Sequence, residues 1–207
     1  MQTNNTAINQ HAAAMDLTGN MPIIWKETAE KLLIASHILK KQREMALGAH
    51  KSKFLSNPKS PPDFPKEGHI HWVELMLTGF AIENLLKGLW LANGNNLYEN
   101  AKIRSGILGP SHDLVVQATR VGFALDDTER GDLQMLKKIM TGIGRYPMMS
   151  NETQGPSSVS WTYQSDVRMK LLLTRLQNQL DATEAKNGVR NGLSRVTVFR
   201  RKMGEQI

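Results

Sequence analysis

WVELMLTGFAIENLLKGLWLANG, residues 72–94, decides the fold, because it is the longest apolar run in the chain and covers nearly every face of a helix with apolar side chains. Trp72, Met76, Gly79, Ile82, Leu86 and Leu89 make one stripe at helical spacing, while Val73, Leu77, Phe80, Leu85 and Trp90 fill much of the remaining circumference. A helix of about six turns with so little polar face must be sheathed by other helices. Glu83 and Lys87 interrupt it, in the order that lets a carboxylate meet an ammonium on the next turn. They read either as a structural pair on a narrow solvent stripe or as a buried carboxylate in a site. Gly79 and Gly88 weaken a helix, so they predict the close approach of another backbone. The polar residues Glu83, Asn84 and Lys87 within the run argue against a membrane span.

Upstream, Pro22 suits a first helical turn, and Trp25, Ala29, Leu32, Ser36 and Leu39 recur at spacings of four and three. That pattern predicts an amphipathic helix over about 22–47, with Lys26, Glu30, Lys40, Lys41 and Arg43 on its solvated face. The following stretch, GAHKSKFLSNPKSPPDFPKEG, is rich in proline and lysine and predicts an irregular connection over 48–70. Residues 1–20 have neither the basic nor the apolar region of a secretory signal and read as a disordered lead.

Downstream of the apolar run, Gly94 is a stop signal and Ser111 is the expected N-cap of a short helix ending at Gly122. Asp126 or Asp127, with Glu129 or Arg130, opens a further helix that shows Leu133, Leu136, Ile139 and Met140 on one side until Gly142 and Gly144. GRYPMMSNETQGPSSVSW reads as a loop. Ser165 with Asp166 then caps a helix to about Ala182, whose Val167, Met169, Leu171, Leu173, Leu176 and Leu180 form a broad apolar face. Beyond it the helical pattern is lost, and Lys186, Arg190, Arg195, Arg200, Arg201 and Lys202 stand against Glu205 alone. This segment is either a frayed tail or an arm that lies on phosphate or pairs with another subunit, with VTVF as a short strand. The expected fold is therefore all-α: an antiparallel bundle of four to five helices over 21–183, with a lead at 1–20 and a basic tail at 184–207.

With 207 residues the chain suits one domain that buries a real core. A formal net charge of +7 and a pI near 9.7 favour contact with RNA, DNA or an acidic partner. The absence of cysteine excludes disulfides and thiolate metal sites and is compatible with the expected cytoplasmic location. Glycine-rich phosphate loops, a nucleophile elbow and paired catalytic carboxylates are absent. His69 and His71 with Glu74 have the types of metal ligands, but on a helix the two histidines point apart and a third strong ligand is missing nearby. No metal and no cofactor is expected.

AIENLLKG on the core helix, SHDL at the opening of a short helix and GRYP closing the next resemble the HEPN superfamily of small helical-bundle proteins, over about residues 22–182. Many members of that superfamily are RNA-cleaving toxins or defence effectors. They are dimers that carry Arg, four to six residues, then His on a late helix near the seam. Others lack the motif and act as RNA-binding or nucleotide-binding partners of nucleotidyltransferases. For this chain the resemblance implies a module that binds nucleic acid or a nucleotide, within a bacterial toxin–antitoxin or defence system. It further implies a homodimer, with a nucleotidyltransferase-type or other protein as a further partner and no membrane.

The chain departs from the catalytic pattern, because no histidine follows Arg145. Arg43 and His50 fit the letters but fall at the end of the first helix, and chance supplies such a spacing about once in a chain of this composition. Arg104 and His112 are one residue too far apart. No residue is assigned as catalytic. Arg145, Tyr146, His112, Arg195, Arg200, Arg201 and Lys202 are the candidate contacts to nucleic acid or nucleotide. His112, beside Asp113 at a helix start, is either a neutral imidazole near a phosphate or part of a cap, and Arg145 with Tyr146 offers phosphate and base contacts or plugs the bundle end. The alternative is a metal-independent RNase in which His112 or His50 moves the proton and Arg104, Arg145 or Arg43 holds the phosphate. A third reading is a protein-interaction subunit.

Overall fold

The structure, a computed structural model, describes residues 3–56, 70–143 and 161–188. The chain is mostly helical: α1 (Thr3–Gly19), α2 (Pro22–Ser56), α3 (Ile70–Ala92), α4 (Leu114–Arg120), α5 (Asp127–Lys138) and α6 (Tyr163–Gly188). Between α3 and α4 lies a hairpin of β1 (Tyr98–Glu99) and β2 (Lys102–Ile103), and α5 continues into a π-helical turn at Ile139–Ile143.

The apolar run forms the centre. α3 packs against α2, α4, α5, α6 and the π-helical turn. Leu75, Ile82, Leu85, Leu86 and Leu89 are buried, and Trp72, Met76, Phe80 and Trp90 pack partly buried around them. By length and composition α3 could cross a membrane, but 61% of its apolar window is buried inside the bundle. Each fully buried leucine there contributes about 2 kcal/mol.

Ion pairs fix the directions of the helices. Arg43 meets Glu74 while Trp25 meets Lys87, so α2 runs antiparallel to α3. Lys26 pairs with Asp181 and Lys40 with Asp166, so α6 is antiparallel to α2. Arg168 reaches Asp132 and Arg175 reaches Glu129, which sets α5 antiparallel to α6. Thus α2, α3, α5 and α6 alternate in direction, and α3 and α6 point the same way across the bundle, with Gly88 against Leu180.

Several expectations are corrected. Residues 3–19 of the expected lead are helical, because Asp16 and Asn20 give the end of α1 a polar anchorage. Asp16 accepts hydrogen bonds from the Asn100 and Ala101 amides, and Asn20 Oδ1 accepts from Leu97 and Tyr98. Asn100 and Ala101 both have positive φ, 54° and 59°, the geometry of a type I′ hairpin turn whose paired amides point at one anion. Gly19 lies so close to the Tyr98 ring that a Cβ there would collide with it.

α2 is 35 residues long and ends at Ser56 rather than near 47. α6 begins at Tyr163 with Thr162, not Ser165, accepting from the amide in its first turn, and continues to Gly188. Asp126 with Glu129 makes the expected capping box of α5. Gly79 is approached by the Met140 side chain rather than by a backbone, whereas at Gly88 the Pro22 carbonyl does come within 3.5 Å of the Cβ position. The rest of the expected connection, 57–69, and most of the tail lie outside the described residues.

Candidate functional site

Two glutamates of α3 are buried, Glu74 at 3% and Glu83 at 5% exposure, and each is gripped by one strong base and one histidine. A carboxylate removed from water needs such partners, since burial alone would drive it to take up a proton.

At the end of the bundle where α3 and α6 begin, Arg43 Nε donates to Glu74 Oε2 at 3.0 Å and His71 Nδ1 stands 3.5 Å from the same oxygen. Burial pushes the Glu74 carboxyl up, but the His71 and Arg43 contacts outweigh it and hold the group below the usual range. Ser36 supports the helix here, reaching the Glu74 carbonyl and Thr78. Beside this trio Lys40 donates to Asp166 at 2.7 Å, and the Trp161 indole donates to the same carboxylate at 2.6 Å. Burial raises Asp166, and the bonds from Lys40 and Trp161 more than reverse it. Trp72 packs its ring against His71. A guanidinium, an ammonium, an imidazole and two indoles therefore share one end of the bundle.

About two and a half turns further along α3, Glu83 Oε1 meets Lys87 at 3.0 Å and Oε2 meets His112 Nδ1 at 2.8 Å. Burial raises this carboxyl too, and the Lys87 charge with the His112 hydrogen bond brings it below the ordinary value. Glu83 is thus ionised at neutral pH, and it can only accept. His112 Nδ1 is accordingly the donor to it. Lys87 also lies 4.9 Å above the Trp25 ring, and the Phe80 and His112 rings meet in a T-shaped pair. His112 has φ +63°, an unusual conformation for a non-glycine residue. The twist lets consecutive side chains reach two helices, His112 to Glu83 on α3 and Asp113 to Lys137 on α5. Asp113, not Ser111, is the N-cap of α4, so His112 precedes the helix instead of lying within its first turn.

No protein-family model, curated protein or solved structure matches the chain.

The candidates from the sequence separate. His112 belongs to Glu83, Arg43 to Glu74, and Arg104 faces Glu99 of the hairpin at 3.5 Å. Neither Arg104 with His112 nor Arg43 with His50 is joined by a described contact, and the His50 side chain, Arg145, Tyr146, Arg195, Arg200, Arg201 and Lys202 lie outside the described residues. What the sequence reading missed is that Arg43 has a histidine after all, His71, supplied across the helix pair by Glu74. The signal is the i, i+3 spacing of His71 and Glu74, residue types that also suggest metal ligation. An oxygen already carrying a guanidinium is a poor metal ligand, and among the described residues no group of three His, Cys, Asp or Glu side chains converges.

Proposed function

We propose that the protein is a HEPN-like helical module that binds RNA or a nucleotide at the bundle end formed by Arg43, Lys40 and His71. The observation that supports this reading is the shared location of phosphate-binding and base-stacking groups: Arg43, Lys40 and His71 beside Trp161 and Trp72. Glu74 holds the Arg43 guanidinium by Nε at 3.0 Å. Arg145 and Tyr146 stand in the sequence between α5 and α6 and lie outside the described residues. Arg195, Arg200, Arg201 and Lys202 follow α6 in the sequence, whose C-terminal end is at the other end of the bundle, and are not counted in this site. His112, committed to Glu83 on another part of α3, drops out of the binding set.

The test is fluorescence anisotropy with a labelled single-stranded RNA between about 50 and 200 mM salt. Affinity should fall as salt rises, and Lys40→Ala should weaken it several-fold and flatten the salt dependence by roughly one phosphate contact. Binding that ignores both salt and Lys40→Ala would reject the site.

A second reading, a metal-independent RNase, is favoured by the single Glu74 oxygen that brings His71 and Arg43 side by side. It requires cleavage of the same RNA in chelator, abolished by His71→Ala. Neither binding nor cleavage would leave the protein-interaction subunit.

A further inference from the structure

Where α1 ends, α2 begins and the hairpin meets α3, the surface opens into a cleft of about 250 Å³. It lies about five turns of α2 away from Arg43. Its apolar wall is made by Met15, Ile24 and the rings of Trp25 and Tyr98. Both rings are held in place. The Trp25 indole donates to the Gly19 carbonyl at 2.9 Å, and the Tyr98 ring lies against Gly19 with no room for a Cβ between them. Pockets that enclose a drug-sized molecule run from about 300 to 1,000 Å³, so this one suits a molecule of one or two rings. Fixed aromatic walls favour a flat one, since ring contacts then form without ordering either side chain.

The polar atoms of the wall decide what such a molecule must carry. Trp25 Nε1 is spent on Gly19. Thr18 Oγ1 donates to the Ala14 carbonyl at 2.9 Å and Thr28 Oγ1 to the Ile24 carbonyl at 2.8 Å, so both hydroxyls give their hydrogen to their own helix. Asn84 Nδ2 likewise donates to the Phe80 carbonyl at 2.6 Å. What remains is mostly lone pairs, those of the two threonine oxygens and of Asn84 Oδ1, against one further amide hydrogen on Asn84 and a Tyr98 phenol that serves either way. These oxygens repel an anion, and the Lys87 ammonium 4.9 Å from the Trp25 ring repels a cation.

We infer that the cleft binds a small uncharged aromatic molecule bearing an N–H donor, packed against Trp25 and Tyr98 and donating to the oxygens of Asn84 and Thr28. α1 contributes Met15, Thr18 and Gly19, so the Asp16 and Asn20 bonds that dock α1 on the hairpin also complete this site. The cleft shares no residue with the Arg43–His71 cluster, and the inference stands or falls independently of RNA binding there.

Indole and benzofuran, which share a shape and differ in an N–H against an oxygen, are the probes. In heteronuclear NMR spectra of the full chain, indole should shift the Trp25 Nε1 and Asn84 side-chain signals saturably, with a dissociation constant of about 0.1–1 mM. Benzofuran should bind about fivefold more weakly. Thr28→Val and Asn84→Leu should narrow that preference, and Thr28→Trp, which fills the cleft from an exposed position, should abolish indole binding with helical circular dichroism unchanged. Indole that moves neither signal overturns the inference. So does benzofuran binding as tightly as indole, a preference that survives both Thr28→Val and Asn84→Leu, or indole binding untouched by Thr28→Trp.

Discussion

Glu83 shows how much one side chain can hold. It carries Lys87 on one oxygen and His112 on the other, and through them it ties α3 to Trp25 of α2 and to the turn before α4. Removing one member of a buried ionic cluster strands the others, at a cost of about 3 kcal/mol. Glu83→Leu should therefore lower the urea midpoint strongly, whereas Glu83→Gln, which keeps an acceptor and the shape, should lower it less; equal midpoints for the two would sink this account. The Glu83–Lys87 half of the cluster was legible in the sequence, because four residues on a helix is a fixed geometry. The His112 half was not. A contact between α3 and a later turn depends on how the helices stack, and the unusual φ of His112 has no signature in its residue type. The histidine that shares an oxygen with Arg43, His71, likewise comes from the facing helix, which no spacing along α2 could show.

Among the elements, α3 and the capping box of α5 could be read from the chain, since both depend on local periodicity or on residues three apart. α1 could not. It lacks the apolar stripe that betrays a docked helix, and its attachment rests on Asp16 and Asn20 bonding to the backbone of residues 97–101. That attachment demands left-handed backbone at Ala101, a conformation that costs an alanine about 1 kcal/mol and a glycine almost nothing. Ala101→Gly should raise the thermal midpoint, with the gain reduced when Asp16→Ala has already released the turn. A lower midpoint in Ala101→Gly would show that the turn is not held in the type I′ form.

For the whole molecule, the buried and bridged acids set the response to pH. Glu74, Glu83, Asp113 and Asp166 all have carboxyls below their ordinary values, in each case because cationic or hydrogen-bonding partners outweigh burial. A depressed carboxyl adds stability that is complete above its unfolded value and is lost as pH falls through the folded one. Glu184, raised by burial, works in the opposite sense, one carboxyl against four among the described residues. Urea midpoints should thus hold steady near neutrality and decline below about pH 4.5, with a shallower decline in Glu83→Gln. A midpoint that rises on acidification would contradict the arrangement of these pairs.

The order in which the bundle is written along the chain has a consequence for its synthesis. α3 leaves the ribosome with only α1 and α2 already made, and the wall that completes its enclosure, α6, is the last of the described helices to be made. Until then the cell holds a nascent polypeptide whose most water-averse segment matches a bilayer in length. A message truncated before α6 would release a product suited to aggregation or to capture by membrane-targeting factors.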